Sequence, residues 1–301
     1  MGRRRRGNPV HGWLVLDKPE GPTSTDMVNR TRWLLQAQKA GHAGTLDPLA
    51  SGILPIAFGE ATKCVHMLTD ARKTYRFTVC FGRSTTTDDR EGEVLETGDF
   101  RPDNDAIAAA LGDFVGDIDQ VPPIFSAVKV HGDRAYDLAR RGEVPELAPR
   151  RIRIDRIALL ERPDADHAVL EMNCGKGTYV RSLARDLGVA LGVPAHVARL
   201  RRRAVGCFRE EDAISLEDFE SLCDKRAGLE ALLPVETALD DIPALALTGE
   251  QADRMRHGQA VRVGVFTYGE DQTICAMHDQ RPVALARYRA GMAEPVRVFN
   301  L

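Results

Sequence analysis

Residues 73–82 alternate strictly between apolar and polar. Tyr75, Phe77, Val79 and Phe81 take one face, and Thr74, Arg76, Thr78 and Cys80 take the other, which predicts a strand with one buried face. Residues 12–16, 53–58 and 169–174 are short apolar runs read as further strands,. After the first of these, Pro19, Gly21 and Pro22 mark a turn. Ser24 or Thr25 can then cap a helix in which Met27, Val28, Thr31, Leu34 and Leu35 recur at helical spacing until Gly41,. Helices are also predicted over 60–68 and over 104–114, the latter turning Ile107, Leu111, Phe114 and Val115 inward. Pro122 and Pro123 lead into a strand near 127–131. Gly175 and Gly177 break the chain before Thr178, whose hydroxyl can cap a helix bearing Val180, Leu183, Ala184 and Leu187, with Arg181 and Arg185 one turn apart on it,.

The pattern changes after residue 233. Thr248 and Gln251 form a capping box opening a short helix to about His257, and short apolar runs recur at 261–266, 274–278, 282–288 and 295–299,. This predicts a small β-rich domain. Strands and helices do not repeat as βαβ units, so the expected fold is α+β with a mixed, mostly antiparallel sheet.

Length and composition narrow the class. A chain of 301 residues, 43% hydrophobic and 28% charged, suits about two domains and buries enough surface to need neither disulfides nor a structural metal. No apolar run approaches the ~18 residues of a membrane helix. No apolar stretch follows the basic run Arg3, Arg4, Arg5, Arg6 in the manner of a secretory signal,. The six cysteines form no C-x-x-C pair, which fits scattered reduced thiols in a cytoplasmic protein. The eight histidines include no local metal-binding spacing, so no metal site is expected.

The net charge of −3 conceals an uneven distribution. Residues 1–209 carry +5, residues 210–253 carry −11 and residues 254–301 carry +3. Arginines cluster at 3–6, at 150, 151, 153 and 156, and at 199, 201, 202 and 203. Such clusters suit a polyanion, with the acidic stretch held away from it; solvated strand faces and a disordered tail are the plainer explanation of any one of them.

The most unusual segment is Gly41-His42-Ala43-Gly44-Thr45-Leu46-Asp47-Pro48-Leu49-Ala50-Ser51-Gly52, where glycines permit tight backbone geometry around a single carboxylate,. Asp47 is either a turn cap before Pro48 or a nucleophile or general acid–base group. In a dry site a carboxylate needs a cationic partner to remain ionised. Gly175-Lys176-Gly177-Thr178 lacks the spacing of a phosphate-binding P-loop, and Ala50-Ser51-Gly52 lacks the leading glycine of a nucleophile elbow,.

Four ordered motifs, with their separations, resemble the bacterial tRNA pseudouridine-55 synthases: Leu16-Asp17-Lys18-Pro19 with Gly21, Thr23 and Ser24; the segment from Gly41 to Gly52; Lys73-Thr74-Tyr75; and Lys176-Gly177-Thr178-Tyr179-Val180-Arg181 through Asp186-Leu187-Gly188. The resemblance is close over residues 10–210 and general beyond. Ala43 stands where many relatives carry Thr, and Val180 where many carry Ile.

The resemblance implies roles by position. Asp47 matches the catalytic aspartate, which attacks the target nucleotide or assists loss of its base. Tyr75 matches the tyrosine that stacks on the flipped base and helps remove the proton from the new carbon link, and Arg181 the arginine paired with the aspartate. His42 matches a contact to the refolded RNA loop, Tyr179 and Leu200 line the uracil pocket, and Lys18 and Pro19 are structural supports. From the residues alone, Tyr75 and Leu200 read equally as core and Tyr179 as packing of a first helical turn.

The resemblance also implies a layout: a basic tail over 1–9, a catalytic domain over 10–233 and a PUA-like RNA-binding domain over 234–301. A mobile thumb over about 123–153 would close on RNA with Lys129, Arg134, Arg140, Arg141, Arg150 and Arg151. The implied partner is the T-arm stem-loop of tRNA, met by a monomer with no obligatory protein partner, no cofactor, no metal and no membrane. Two other readings stay open. One is a tRNA-folding chaperone, which the complete Asp47, Tyr75 and Arg181 set disfavours. The other is a member of a guide-RNA complex of the dyskerin-like branch, which the thumb-like insertion and short tail disfavour.

Overall fold

The computed structural model describes residues 7–130, 132–143, 145–264 and 268–301. The chain runs through β1 (Gly12–Lys18), α1 (Ser24–Leu34), β2 (Ala40–His42), β3 (Ala50–Phe58), α2 (Val65–Asp70) and β4 (Lys73–Phe81). A hairpin of β5 (Arg83–Thr85) and β6 (Val94–Thr97) leads to α3 (Asn104–Leu111) and β7 (Gly116–Gln120). A small excursion of β8 (Lys129–Val130), β9 (Asp133–Arg134) and α4 (Ala135–Arg140) precedes β10 (Arg150–Glu161), β11 (His167–Cys174) and α5 (Val180–Ala190). Then follow β12 (Ala195–Val205), β13 (Phe208–Arg209), β14 (Ile214–Ser215) and α6 (Leu216–Asp224). The C-terminal part holds β15 (Ala244–Ala246), α7 (Gly249–Arg256), β16 (Val261–Arg262), β17 (Thr273–His278), β18 (Arg281–Arg289) and β19 (Met292–Val298).

Two sheets dominate. The larger has ten strands in the order β14-β1-β3-β12-β4-β11-β10-β7, with β2 beside β3 and β13 beside β12. It is mostly antiparallel, with parallel pairings at β12–β3 and β1–β14. This is the expected mixed α+β class. The smaller sheet runs β15-β17-β18-β19-β16. One core, including Leu14, Leu16, Phe77, Leu170, Leu183 and Leu187, lies between the large sheet and helices α1, α3 and α5. A second joins Trp13, Val15 and Ile53 on the back of that sheet to Leu239, Leu285 and Phe299. β1 and β3 are therefore buried on both faces, which is why they read as continuous apolar runs while β4 alternates.

Several local expectations shift. Helix α1 is capped by Thr23, which accepts from the Asp26 amide while Asp26 takes the Thr23 amide. Ser24 is free for another task, since its hydroxyl donates to the Leu46 carbonyl (2.9 Å) and accepts from the Leu46 amide (2.8 Å). The predicted helix over 60–68 is a 3₁₀ turn, Gly59–Lys63, followed by α2. The helix from residue 104 tightens into a 3₁₀ turn at Gly112–Phe114, which rotates Val115 out to solvent. Thr178 does not cap α5. The helix begins beyond Tyr179, whose amide and carbonyl are both bonded by the Gln120 side chain at the end of β7.

Boundaries shift as well. Residues 7–9 of the expected disordered tail are tied down, with Asn8 donating through its amide to Gln36 (2.7 Å) and through its side chain to Leu35 (3.3 Å). Residues 1–6 lie outside the described residues, as do 131 at the end of the strand expected near 127–131 and 265 and 266 at the end of the run 261–266. Within the span expected as thumb, residues 150–153 pair along β7 from Arg150 opposite Gln120 to Arg153 opposite Asp117.

Candidate active site

The loop from His42 to Ala50 crosses the end of the large sheet, and buried cations fix it from both sides. Lys18 is fully buried, and its ammonium donates to the carbonyls of Pro19 (2.9 Å), Pro48 (3.3 Å) and Ala50 (2.6 Å). Burial pulls its pKa down to about 8, against the attraction of Asp47. Arg202, buried on β12, spreads its fork over the carbonyls of Ile53 (2.8 Å), Gly44 (3.0 Å) and Thr45 (3.4 Å). The Ser24–Leu46 bonds and the Gly21 amide on the Pro48 carbonyl (2.8 Å) add two more ties. Gly44 and Gly52 take left-handed φ values of +91° and +101°, where a side chain is strained. Lys18 thus supports the loop as expected.

The loop presents the Asp47 carboxylate, 36% exposed, to Arg181 Nη2 at 2.8 Å, while the Arg181 side chain is only 5% exposed. The carboxylate thus has a guanidinium for its cationic partner. The same Nη2 donates to the Phe125 carbonyl (3.0 Å) and Nη1 to the Thr87 carbonyl (3.1 Å). Arg181 Nε stands 3.7 Å from Asp89 Oδ2 without a hydrogen bond. Asp89 is buried and held by the Thr87 hydroxyl (2.5 Å) and the Glu91 amide (3.0 Å). Its neighbour Asp88, at φ +59°, pairs with Arg185 at 3.0 Å, and burial pushes the Asp88 carboxyl up against that pull. Sequence reasoning missed both aspartates. The available signal was the adjacent acid pair after Thr85-Thr86-Thr87 and before Arg90-Glu91-Gly92.

The other singled-out positions gather around the pair to different degrees. Tyr75 lies on β4 in register with Met172 of β11 and Arg202 of β12. Burial raises its phenol pKa, Arg202 opposes the shift, and the Asp47 charge adds to it. Tyr179 is half-buried at the start of α5, with its phenol pushed up by burial and again by Asp47. Leu200 on β12 is buried, opposite Phe77 and Ala50. His42 ends β2 opposite Ile56; burial and then Arg202 lower its pKa, and its Nδ1 is buried without a partner. One ion-paired carboxylate beside two neutral phenols suits covalent or acid–base chemistry on an aromatic ring. Among the described residues no group of His, Cys, Asp and Glu could hold a metal.

The arginine clusters prove unequal. Arg201 pairs with Asp17 (2.9 Å) and Glu210 (2.7 Å), Arg203 with Glu210 (2.6 Å) and Glu171 (3.2 Å), and Arg202 is buried. That cluster is neutralised, partly by the first acid of the acidic stretch, and only Arg199 is left exposed. The acidic stretch is therefore not held away from it. Arg150 is exposed, while Arg151 pairs loosely with Asp119 (3.4 Å) and Arg153 with Asp117 (3.1 Å). In the excursion, Arg134 and Arg140 lie over the Tyr136 ring, and Arg141 pairs with Asp133 and Glu143.

Comparison with known proteins places the chain in a family. Residues 32–180 match the model of the TruB family pseudouridylate synthase N-terminal domain, and residues 181–240 that of the tRNA pseudouridylate synthase B C-terminal domain. The chain is 55% identical over 309 residues to a protein of Caulobacter vibrioides named tRNA pseudouridine synthase B, with 100% of both covered. It is 53% identical to the protein of that name in Roseobacter denitrificans, over 100% of this chain and 99% of the other. Among solved structures, a chain from an H/ACA RNP bound to a substrate RNA containing 2′-deoxyuridine superposes with a TM-score of 0.77 at 24% identity, covering 100% of this chain and 92% of that one.

Proposed function

This chain belongs to the TruB family of pseudouridylate synthases, and from that membership we propose that it isomerises the uridine at position 55 in the T-loop of tRNA by drawing the base into the Asp47 pocket. It is an isomerase that converts uridine in tRNA to pseudouridine. The reaction breaks the N1–C1′ bond and forms C5–C1′; the C5 hydrogen leaves as a proton and N1 takes up a proton in its place. Its balance contains no redox step and calls for no cofactor.

The observation that carries the reading is the asymmetric ion pair: Arg181 is buried and held by backbone carbonyls, while Asp47 is open at 36% exposure on the side where a nucleotide would arrive. A charge-assisted bond to a fixed guanidinium orients the carboxylate before substrate binds. Asp47 then attacks the target nucleotide or assists loss of its base. Tyr75, kept neutral by burial, stacks on the extruded ring and recovers part of the unstacking cost of a few kcal/mol. Tyr179 and Leu200 line the pocket, and His42 meets the refolded loop. The insertion over about 123–153 acts as the thumb, the part from about residue 234 as a PUA-like RNA-binding domain, and the protein works as a cytoplasmic monomer.

The test is single-turnover release of tritium from C5 of uridine-labelled T-arm RNA, comparing the wild type with Asp47→Asn and adding no protein or cofactor. Release by the wild type alone, with the variant binding RNA within a few fold, is expected. Retained release by Asp47→Asn overturns the role of that carboxylate. Intact binding without release by the wild type favours the chaperone or guided reading, the latter sharing its fold with the H/ACA chain.

A further inference from the structure

Among the described residues, five buried side-chain atoms have no hydrogen-bond partner: His42 Nδ1, Ser126 Oγ, Arg162 Nη1, Asn173 Oδ1 and Arg181 Nε. Buried polar groups are nearly always paired, so an orphan points to a partner that arrives from outside. Three of the five belong to segments that frame Asp47. His42 opens its loop and Arg181 pairs with it. Ser126 follows Phe125, whose carbonyl takes the same Arg181 nitrogen that binds Asp47. His42 and Arg181 already have assignments, and Ser126 has none.

Ser126 is 4% exposed and sits in a segment tied to helix α5 and to Tyr136. Helix α5 donates three side-chain bonds into that segment: Ser182 to the Val121 carbonyl (2.7 Å), Arg185 to the same carbonyl (2.9 Å) and Arg181 to that of Phe125 (3.0 Å). Both backbone groups of Ser126 are used, its amide on the Ile124 carbonyl and its carbonyl by the Tyr136 amide, each at 3.0 Å. The hydroxyl alone makes no well-formed hydrogen bond. Its polar neighbour is the Tyr179 phenol, whose pKa it lowers by contact while the Asp47 charge raises it. A hydroxyl can donate and accept, and uracil offers one N–H and two carbonyl oxygens on its free edge. Resting on the reading above, we propose that the Ser126 hydroxyl contacts the substrate, taking its missing partner from the polar edge of the uracil flipped into the Asp47 pocket.

The test uses two T-arm RNAs, one with uridine at the target position and one with an abasic ribose there, bound to full-length protein carrying Asp47→Asn so that nothing turns over. Adding Ser126→Ala should weaken the uridine RNA about tenfold and leave the abasic RNA unchanged. In the chain retaining Asp47, Ser126→Ala should slow single-turnover release about as much, with an unchanged Tm, because beyond its contact with the Tyr179 phenol the folded protein gives the hydroxyl no well-formed hydrogen bond to lose. Equal weakening of both RNAs, no weakening, or a loss accompanied by a fallen Tm overturns the proposal. The loss should also persist in a Tyr179→Phe background; if it vanishes there, Ser126 only props the phenol. Wild-type release on the uridine RNA is the control. Its absence overturns the parent reading, whereas its presence with Ser126→Ala indistinguishable from wild type overturns this one alone.

Discussion

Gly52→Ala tests whether the Asp47 loop is as rigid as its clamps imply. Gly52 sits between the strands that carry them, in register with Lys18 of β1 and Arg202 of β12. At φ +101° any side chain is strained, at roughly 1–3 kcal/mol. A Cβ there would also lie 2.2 Å from the Arg202 carbonyl oxygen, 2.9 Å from its nitrogen and 3.0 Å from its carbon. These are backbone atoms of a central strand and cannot swing aside. Relief requires β3 and β12 to part by about 1 Å, which weakens one or two ladder bonds at about 1 kcal/mol each and draws the Arg202 fork off Gly44, Thr45 and Ile53. The sum is about 2–5 kcal/mol, a large share of the ~5–15 kcal/mol that holds a protein folded. Urea unfolding followed by tryptophan fluorescence, Trp13 being fully buried, should show a lower midpoint. Release of C5 tritium under native conditions should fall at least about tenfold, since a misplaced carboxylate loses its alignment. A stability loss under about 1 kcal/mol with wild-type release would refute the argument, because the loop would then tolerate a side chain at its tightest crossing.

Two further outcomes follow from the charges. The Lys18 pKa is about 8 when folded against 10.5 as its ordinary value, so between those limits the unfolded chain binds the extra proton and stability rises with pH. Lys73, also lowered to about 8 by burial, acts in the same window. Lys18→Met removes one of the two contributions, so the stability of the wild type relative to the variant should grow by up to about 3 kcal/mol between about pH 7 and 10.5; a flat difference counts against it. Arg151→Ala, which loses an exposed pair with Asp119, should change stability by less than about 0.5 kcal/mol yet reduce the salt slope of T-arm RNA binding by about one. Arg201→Ala should do the reverse, lowering the stability read from urea unfolding by roughly 1 kcal/mol for its network with Asp17 and Glu210, and leaving the slope alone. A slope that moves with Arg201 would show that its ion pairs open to RNA.

What was legible in the sequence is what local pattern encodes. The alternation over β4, the face of α1 and the Thr248–Gln251 box at α7 all appear, because each depends on spacing within one element. Asp47 and Arg181, 134 residues apart, meet as their motifs implied. Illegible features depended on distant partners. Arg201 and Arg203 read as polyanion sites, but Asp17 and Glu171 reach them from other strands of the sheet. Thr178 read as a cap, but a glutamine 59 positions earlier in the chain satisfies the backbone at Tyr179. Strand β15 is three residues long and pairs in parallel with β17, too short to leave a periodic signal.

The back of the large sheet has one more consequence. Trp13, Val15 and Ile53 share a core with Leu239, Leu285 and Phe299, while the Trp13 indole donates to the Val235 carbonyl (3.2 Å) and Lys63 to that of Val298 (2.7 Å). An apolar, hydrogen-bonded joint of this kind resists the hinge motion usual between domains. The two sheets then behave as the fixed jaws of a gauge, and any RNA touching both is measured against one invariant span.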